Sequence, residues 1–334
     1  MLIGALWVVA GALIVASLFS ARLIVRPGRA RIWSTPKEVG LEYEDITFKA
    51  QDGVNLVGWF IPAPAQVPRP APLIILVHGW PWCRMGTQAN SLFNDLPGSK
   101  PVNLLPFMKR LHDEGYHVIA ADHRNFGDSE SRGVVTSGWL EGRDVVGEVD
   151  YLRGRPDVDM DRIGAIGFSQ GGSTVMFASP ITDRIKAAIA IQPTRGSVFG
   201  PRYAHALMGP LAYITLPLSE LFYRIAGGPA ISSIDVACAA AGARCPFLYI
   251  QGTGDPWGTV DDVKRMAAMT PGSTAIYPET KHRFEGYLWV LANPDVSVDF
   301  MRKHLSADAS KTVKAPASLS VPQVAIRTSD TASL

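Results

Sequence analysis

Gly167-Phe168-Ser169-Gln170-Gly171 sets a serine between two glycines, with an apolar run before it (Arg162 to Ile166) and another after it (Gly172 to Ala178). The first run reads as a strand and the second as the opening turns of a buried helix. Between strand and helix the backbone turns sharply and lifts the serine hydroxyl clear of its neighbours, where it can attack a carbonyl carbon. The glycines are needed because a Cβ in so tight a turn would meet backbone. A free hydroxyl does not ionise near neutral pH, so Ser169 needs a base. Of seven histidines, His282 follows the last strand candidate (Thr274 to Tyr277), at the carboxyl end of the sheet where site residues gather. Asp255 lies in Gly252-Thr253-Gly254-Asp255-Pro256, after the strand candidate Phe247 to Ile250, and could accept the histidine Nδ1–H. Gly-Asp-Pro is also a common turn sequence, and Asp261 or Asp262 is near enough to serve instead.

The elements that would position these groups alternate. Leu41 to Lys49 and Val54 to Ile61 read as strands joined by Ala50-Gln51-Asp52-Gly53, a hairpin signal. Leu73 to Val77, His117 to Ala121, Ala187 to Ile191 and Phe247 to Ile250 are continuous apolar runs, the pattern of strands covered on both faces. Helical segments fall between them: Leu104 to Asp113, Gly138 to Gly154, Gly171 to Ser179, Val260 to Met269, and Glu285 to Leu291 with Val296 to His304. The alternation predicts an α/β chain with a mostly parallel central sheet, an antiparallel edge hairpin and helices on both faces. The segment 193–242 breaks it. This stretch carries Met208, Leu211, Tyr213, Ile214, Leu218, Leu221, Phe222 and Tyr223, too apolar for a solvated loop, and predicts two short helices forming a small cap over the sheet. Such a cap would bury an apolar acyl or alcohol group, with Leu221 and Phe222 as candidate substrate contacts.

The core domain is expected over residues 41–304, between a separate N-terminal segment (1–31) and a tail (305–334). Rich in Ser, Thr, Ala and Pro, the tail is expected to be disordered. From Leu2 to Ala21 the chain has no charged residue, and such a run spans roughly 30 Å as a helix, the thickness of a bilayer's hydrocarbon core. A cleaved signal peptide would want a basic residue before the run and small residues at its cut site; the expectation is a retained single-pass transmembrane helix. Arg22, Arg26, Arg29 and Arg31 follow it, so the positive-inside rule places the rest of the chain in the cytoplasm. With 32 basic against 30 acidic residues the net charge is +2, which argues against nucleic acid as a partner. Cys83, Cys238 and Cys245 form no zinc-spaced cluster, although Cys238 and Cys245 could pair.

Four stretches together resemble the α/β-hydrolase superfamily, on its serine esterase and dienelactone-hydrolase-like branch, related to the catalytic domains of prolyl-oligopeptidase-type peptidases. They are the apolar strand ending in His78-Gly79, the loop Asp122-His123-Arg124-Asn125-Phe126-Gly127-Asp128-Ser129, the Ser169 turn, and Asp255 followed by Lys281-His282-Arg283-Phe284. Asn125 departs from the pattern, standing where many relatives carry glycine. The resemblance implies a Ser169–His282–Asp255 triad, with His78 shaping the loop that follows its strand. It also implies an oxyanion hole made by the backbone N–H groups of Trp80 and Gln170; Pro81 has no N–H to offer. Trp80 and Trp82 could also wall the substrate pocket. The function this implies is a membrane-anchored serine hydrolase that cleaves small carboxylic esters bearing an apolar group, with no metal and no cofactor. Thioesterase, acyltransferase and peptidase chemistry use the same triad, and a non-catalytic binding protein could keep the fold.

Overall fold

The computed structural model describes residues 2–91 and 95–307, so most of the tail expected to be disordered lies outside the described residues. In chain order the elements are α1 (Leu2–Val25), β1 (Glu44–Lys49), β2 (Asn55–Ile61), β3 (Ala71–Val77), β4 (Gly86–Thr87), β5 (Val102–Asn103), α2 (Leu105–Asp113), β6 (His117–Asp122) and α3 (Gly142–Leu152). Then follow β7 (Val158–Phe168), α4 (Gln170–Ala178), β8 (Ile185–Ile191), α5 (Gly196–Met208), α6 (Ala212–Ile225), α7 (Val236–Ala241), β9 (Phe247–Ile250), α8 (Val260–Met269), β10 (Thr274–Ile276), α9 (Arg283–Ala292) and α10 (Pro294–Leu305).

The main sheet runs β1-β2-β6-β3-β7-β8-β9-β10. β2 is antiparallel to both β1 and β6, and every pair from β6 to β10 is parallel. β3 shows why the centre reads as unbroken apolar sequence. Its side chains alternate between faces, sending Leu73, Ile75 and Val77 into one core with α3, α4, α7 and α8. Ile74 and Leu76 enter the other, with α2, α9 and α10. Each of these side chains is buried, which stabilises the fold by about 1.5–3 kcal/mol per residue. The strand order reverses around β3, which lies between β6 and β7. Ligands of open parallel sheets bind beyond the strand carboxyl ends at such a reversal.

The insertion is larger than two short helices. α5 and α6 run thirteen and fourteen residues, and each keeps a proline inside it, Pro201 and Pro217. An internal proline removes a helix hydrogen bond, and tertiary packing must compensate for it. α7 then returns the chain to the core. α1 is a single apolar helix that packs against α6. All three cysteines are free, with Cys83 and Cys245 buried and Cys238 exposed; Cys238 and Cys245 do not pair.

Candidate active site

Ser169 closes β7 and opens α4 with φ 55° and ψ −120°, a backbone conformation that costs an L-residue strain and persists only where its surroundings enforce it. The enforcement is visible in the packing. A Cβ on Gly171 would overlap the carbonyl oxygens of Val77 and His78, and one on Gly79 would lie 3.1 Å from the Ser169 Cβ. The turn is thus wedged against the loop after β3, and Ser169 N–H donates to Ile191 O on β8 at 2.8 Å. Gln170 is the first residue of α4, where backbone N–H groups lack helical partners and face outward.

The loop after β3 is held by His78. Its Nδ1 lies 2.8 Å from Gly79 O and its Nε2 accepts the His123 N–H at 3.1 Å. Both contacts are satisfied by a neutral ring protonated at Nδ1, and burial pushes the imidazole down to about 3. Below it the Asp122 loop is clamped by ions. Asp122 accepts from the Arg84 guanidinium and, at 2.6 and 2.9 Å, from the N–H groups of Arg84 and Asp128. Arg124 grips Asp52 at 2.7 and 2.8 Å and Asp144 at 2.6 and 2.8 Å. Asn125 has φ 71°, in the left-handed region that asparagine tolerates better than most residues. Its amide also pairs with the Arg132 backbone at 3.1 and 3.4 Å. Asparagine therefore does here what glycine would do by lacking a side chain.

At the carboxyl ends of β9 and β10 the arrangement departs from the expected triad. Asp255 is buried and accepts N–H groups from Trp257 and Gly258 at 3.0 and 3.1 Å and from the Gln251 amide at 3.1 Å. Its ion-pair partner is Arg283, not His282. The Arg283 guanidinium, 1% exposed, also donates to Ser169 Oγ at 3.2 Å, Gln192 O at 2.7 Å and Thr194 Oγ1 at 3.2 Å. Tyr287, one turn further along α9, is fully buried beside Ser169 and Arg283, and burial raises its phenol. His282 caps α9 instead, its Nδ1 accepting the Phe284 N–H at 3.5 Å, with its ring edge-on to Trp257 at 5.4 Å. The physical reason lies in the helix start. Residues 282 and 283 project in different directions there, and the buried Asp255 carboxylate selects the permanent cation.

The aromatic residues also divide differently from expectation. Trp82 is buried and packs edge-on against Tyr287 at 5.2 Å, with Phe168 and Phe284 at 6.5 Å; it supports the site from behind. Trp80 is partly buried on the same side. On α6, Leu221 is 50% exposed and Phe222 is half-buried. The insertion meets the site through Phe199 and Tyr203 of α5, which stack at 5.4 Å and close on Trp257 at 5.9 and 5.4 Å. The Arg283 guanidinium lies 5.6 Å from the Phe199 ring. Arg283, Tyr287, Phe199 and Tyr203 were not singled out by the sequence. The motif Lys281-His282-Arg283-Phe284 held Arg283 in view, and a buried aspartate beside it was the signal that could have named it.

Residues 52–203 match the family model for X-Pro dipeptidyl-peptidase (S15 family). The chain is 35% identical to YfhR of Salmonella typhimurium over 138 residues, 41% of this chain and 40% of that protein. It is 30% identical to YtaP of Bacillus subtilis over 139 residues, 38% of this chain and 44% of that one. It thus spans less than half the length of these curated relatives. Among solved structures, the Pyrococcus furiosus esterase Pf2001 superposes with a TM-score of 0.64 at 23% identity, covering 85% of this chain and 99% of that one. An acylaminoacyl peptidase of Pyrococcus horikoshii superposes at 0.55 and 18%, covering 83% and 43%. Sheet order, the strained Ser169 turn and these likenesses define the class. The chain has the α/β-hydrolase fold, the one shared by the esterase and the peptidase.

Proposed function

We propose that the chain is a serine hydrolase cleaving carboxylic esters through an acyl-enzyme, with Ser169 as nucleophile. The observation that carries this is the strained Ser169 turn at the mouth of the sheet, wedged between the β3 loop and β8. In this reading the Ser169 oxygen attacks the carbonyl carbon, and its proton passes to His282. The N–H groups of Trp80 and Gln170 hold the oxyanion, and His282 returns the proton to the departing alcohol. Water, deprotonated by His282, then releases the acid. For this to occur His282 turns in from its capping position and Arg283 yields Asp255 to it. Arginine itself cannot take the proton, because it stays charged at any working pH.

The test is a panel of ester, thioester and peptide substrates on wild type and Ser169→Ala. Ser169→Ala should lose several orders of magnitude in turnover with its melting temperature nearly unchanged, because the catalytic residues act as a unit. Retention of even a tenth of the activity would exclude Ser169. Peptide turnover exceeding ester turnover would move the reading to the peptidase side, which the S15 match favours.

One observation favours a second reading, a non-catalytic binding protein: Asp255 is paired with Arg283 and His282 stands apart. A fluorophosphonate probe separates the two, since a scaffold would leave Ser169 unlabelled. We also read α1 as a single-pass anchor with the domain in the cytoplasm, on its length, its uncharged sequence and its arginine flank. A reporter fused after His304 should behave as cytoplasmic. An alkaline-phosphatase fusion active outside would reverse the orientation, and a mature N-terminus near residue 22 would remove the anchor.

A further inference from the structure

We propose that the α5–α6 hairpin is a second membrane element, immersed beside α1 in the near leaflet, so that the wall over Ser169 is itself in contact with lipid. The inference rests on reading α1 as the anchor. α1 does not stand apart from the domain. Among the described side chains of its uncharged run, Ala10, Leu13, Ala16, Ser17, Ser20 and Ala21 are the covered ones, and Ser17 O accepts the Ser219 hydroxyl of α6 at 3.1 Å. Across the seam Thr215 and Ser219 are buried on α6. Small residues four apart on both helices let the backbones approach closely, a packing that serves helices in lipid.

Depth follows from register. Ser17 lies five residues before Arg22, roughly 8 Å along the axis into the hydrocarbon if Arg22 marks the interface. Ser219 is therefore at that depth too. Both helices run toward the domain. Beyond α1, Arg29 donates to Gly127 O at 3.1 Å, and near the end of α6 the Tyr223 hydroxyl donates to Val135 O at 2.9 Å. The tip joining α5 to α6 consequently points away from the domain, deeper than Ser219. Its composition fits. Between Arg202 and Glu220 the chain holds no Asp, Glu, Lys or Arg. Leu207, Leu211, Tyr213 and Ile214 stand exposed around the tip. The exposed Ile14, Val15, Leu18 and Phe19 of α1, the helix packed against α6, add to this apolar surface. In water so large an apolar surface is unfavourable. The charges Arg202, Glu220 and Arg224 fall at the domain end, where headgroups and water would meet them.

The experiment uses the full chain with Cys238→Ser, Cys83 and Cys245 being buried. A bimane fluorophore is placed in turn at Tyr213→Cys, at Val9→Cys on α1, and at Asp161→Cys, exposed near the start of β7. Each protein is reconstituted in phosphatidylcholine–phosphatidylglycerol vesicles. At position 213 the emission should shift to the blue, with quenching by a nitroxide on the lipid acyl chain similar to that at position 9. Iodide quenching there should be several-fold weaker than at position 161. If position 213 behaves like 161 while position 9 is lipid-quenched, the anchor stands and the immersed hairpin is wrong. If positions 9 and 213 both behave like 161, the anchor reading fails and this inference with it. Retained turnover of a soluble short-chain ester shows that each labelled protein is folded.

Discussion

Arg283 Nη2 stands 3.2 Å from Ser169 Oγ while Nη1 of the same guanidinium holds Asp255. One buried cation thus joins the proposed nucleophile to the carboxylate expected to serve its base. The pair is closed to solvent, where breaking an ion pair from one side costs about 3–5 kcal/mol because the other charge is left unpaired. Arg283→Met and Asp255→Asn should each destabilise the protein by an amount of that order in denaturant titrations. The double variant should fall well short of the sum of the two. Strict additivity would show that the two side chains are not energetically coupled.

His78 predicts an acid-labile loop. Its ordinary value is 6.5 and the folded protein holds it near 3. Above 6.5 the ring is neutral in both states and its contribution is complete. As pH falls from about 6.5 toward 3 the unfolded chain takes up a proton that the folded ring refuses, so stability declines by about 1.4 kcal/mol per pH unit. Thermal melts of wild type between pH 7 and pH 4 should show this slope beneath the general acid loss. His78→Gln should melt lower at pH 7 and yield a flatter profile. Parallel profiles for the two proteins would refute the assignment.

Glu148 on α3 carries the opposite dependence. It is 1% exposed, neither carboxylate oxygen has a hydrogen-bond partner among the described residues, and burial, with Asp144 nearby, raises it well above 4.5. Below 4.5 it is protonated in both states. Above that the unfolded chain ionises first, so stability falls as pH rises toward the folded value. Glu148→Met should melt higher than wild type at pH 8, with the gap narrowing toward pH 4. A variant that melts lower at pH 8 would mean that the carboxyl is compensated.

Selectivity should lie with α5. If Phe199 and Tyr203 wall the acyl pocket, the specificity constant on p-nitrophenyl esters should rise with acyl length, by up to about fourfold for each fully buried methylene. Phe199→Ala and Tyr203→Ala should change that rise, and Leu221→Ser should leave it alone. A steady decline from acetate upward would mean a small filled pocket.

The strands and the Ser169 turn were legible because their signals are local. β3 is an unbroken apolar run, and Gly167 and Gly171 flank the serine. Which of two adjacent side chains enters a site is not local. His282 and Arg283 are both chemically apt for Asp255, and only the packing of the start of α9 against Trp257 and Gln192 decides between them. α5 and α6 run on through Pro201 and Pro217, a length that local sequence does not reveal because tertiary packing supplies what each proline removes. Phe199 and Tyr203 look like any apolar pair until α5 is folded over Trp257. The left-handed turn at Asn125 was marked by its departure from glycine, and the Arg132 contacts that resolve it lie seven residues away.

The seam between Ser17 and Ser219 makes the N-terminal helix part of the wall, not a leash. Cutting the chain after α1 would leave the sheet and the Ser169 turn intact but open a trough along Thr215 and Ser219, flanked by apolar side chains. Such a fragment would seek detergent, a second copy of itself, or a collapsed cap to fill the trough. Its selectivity would then report on whichever substitute it found.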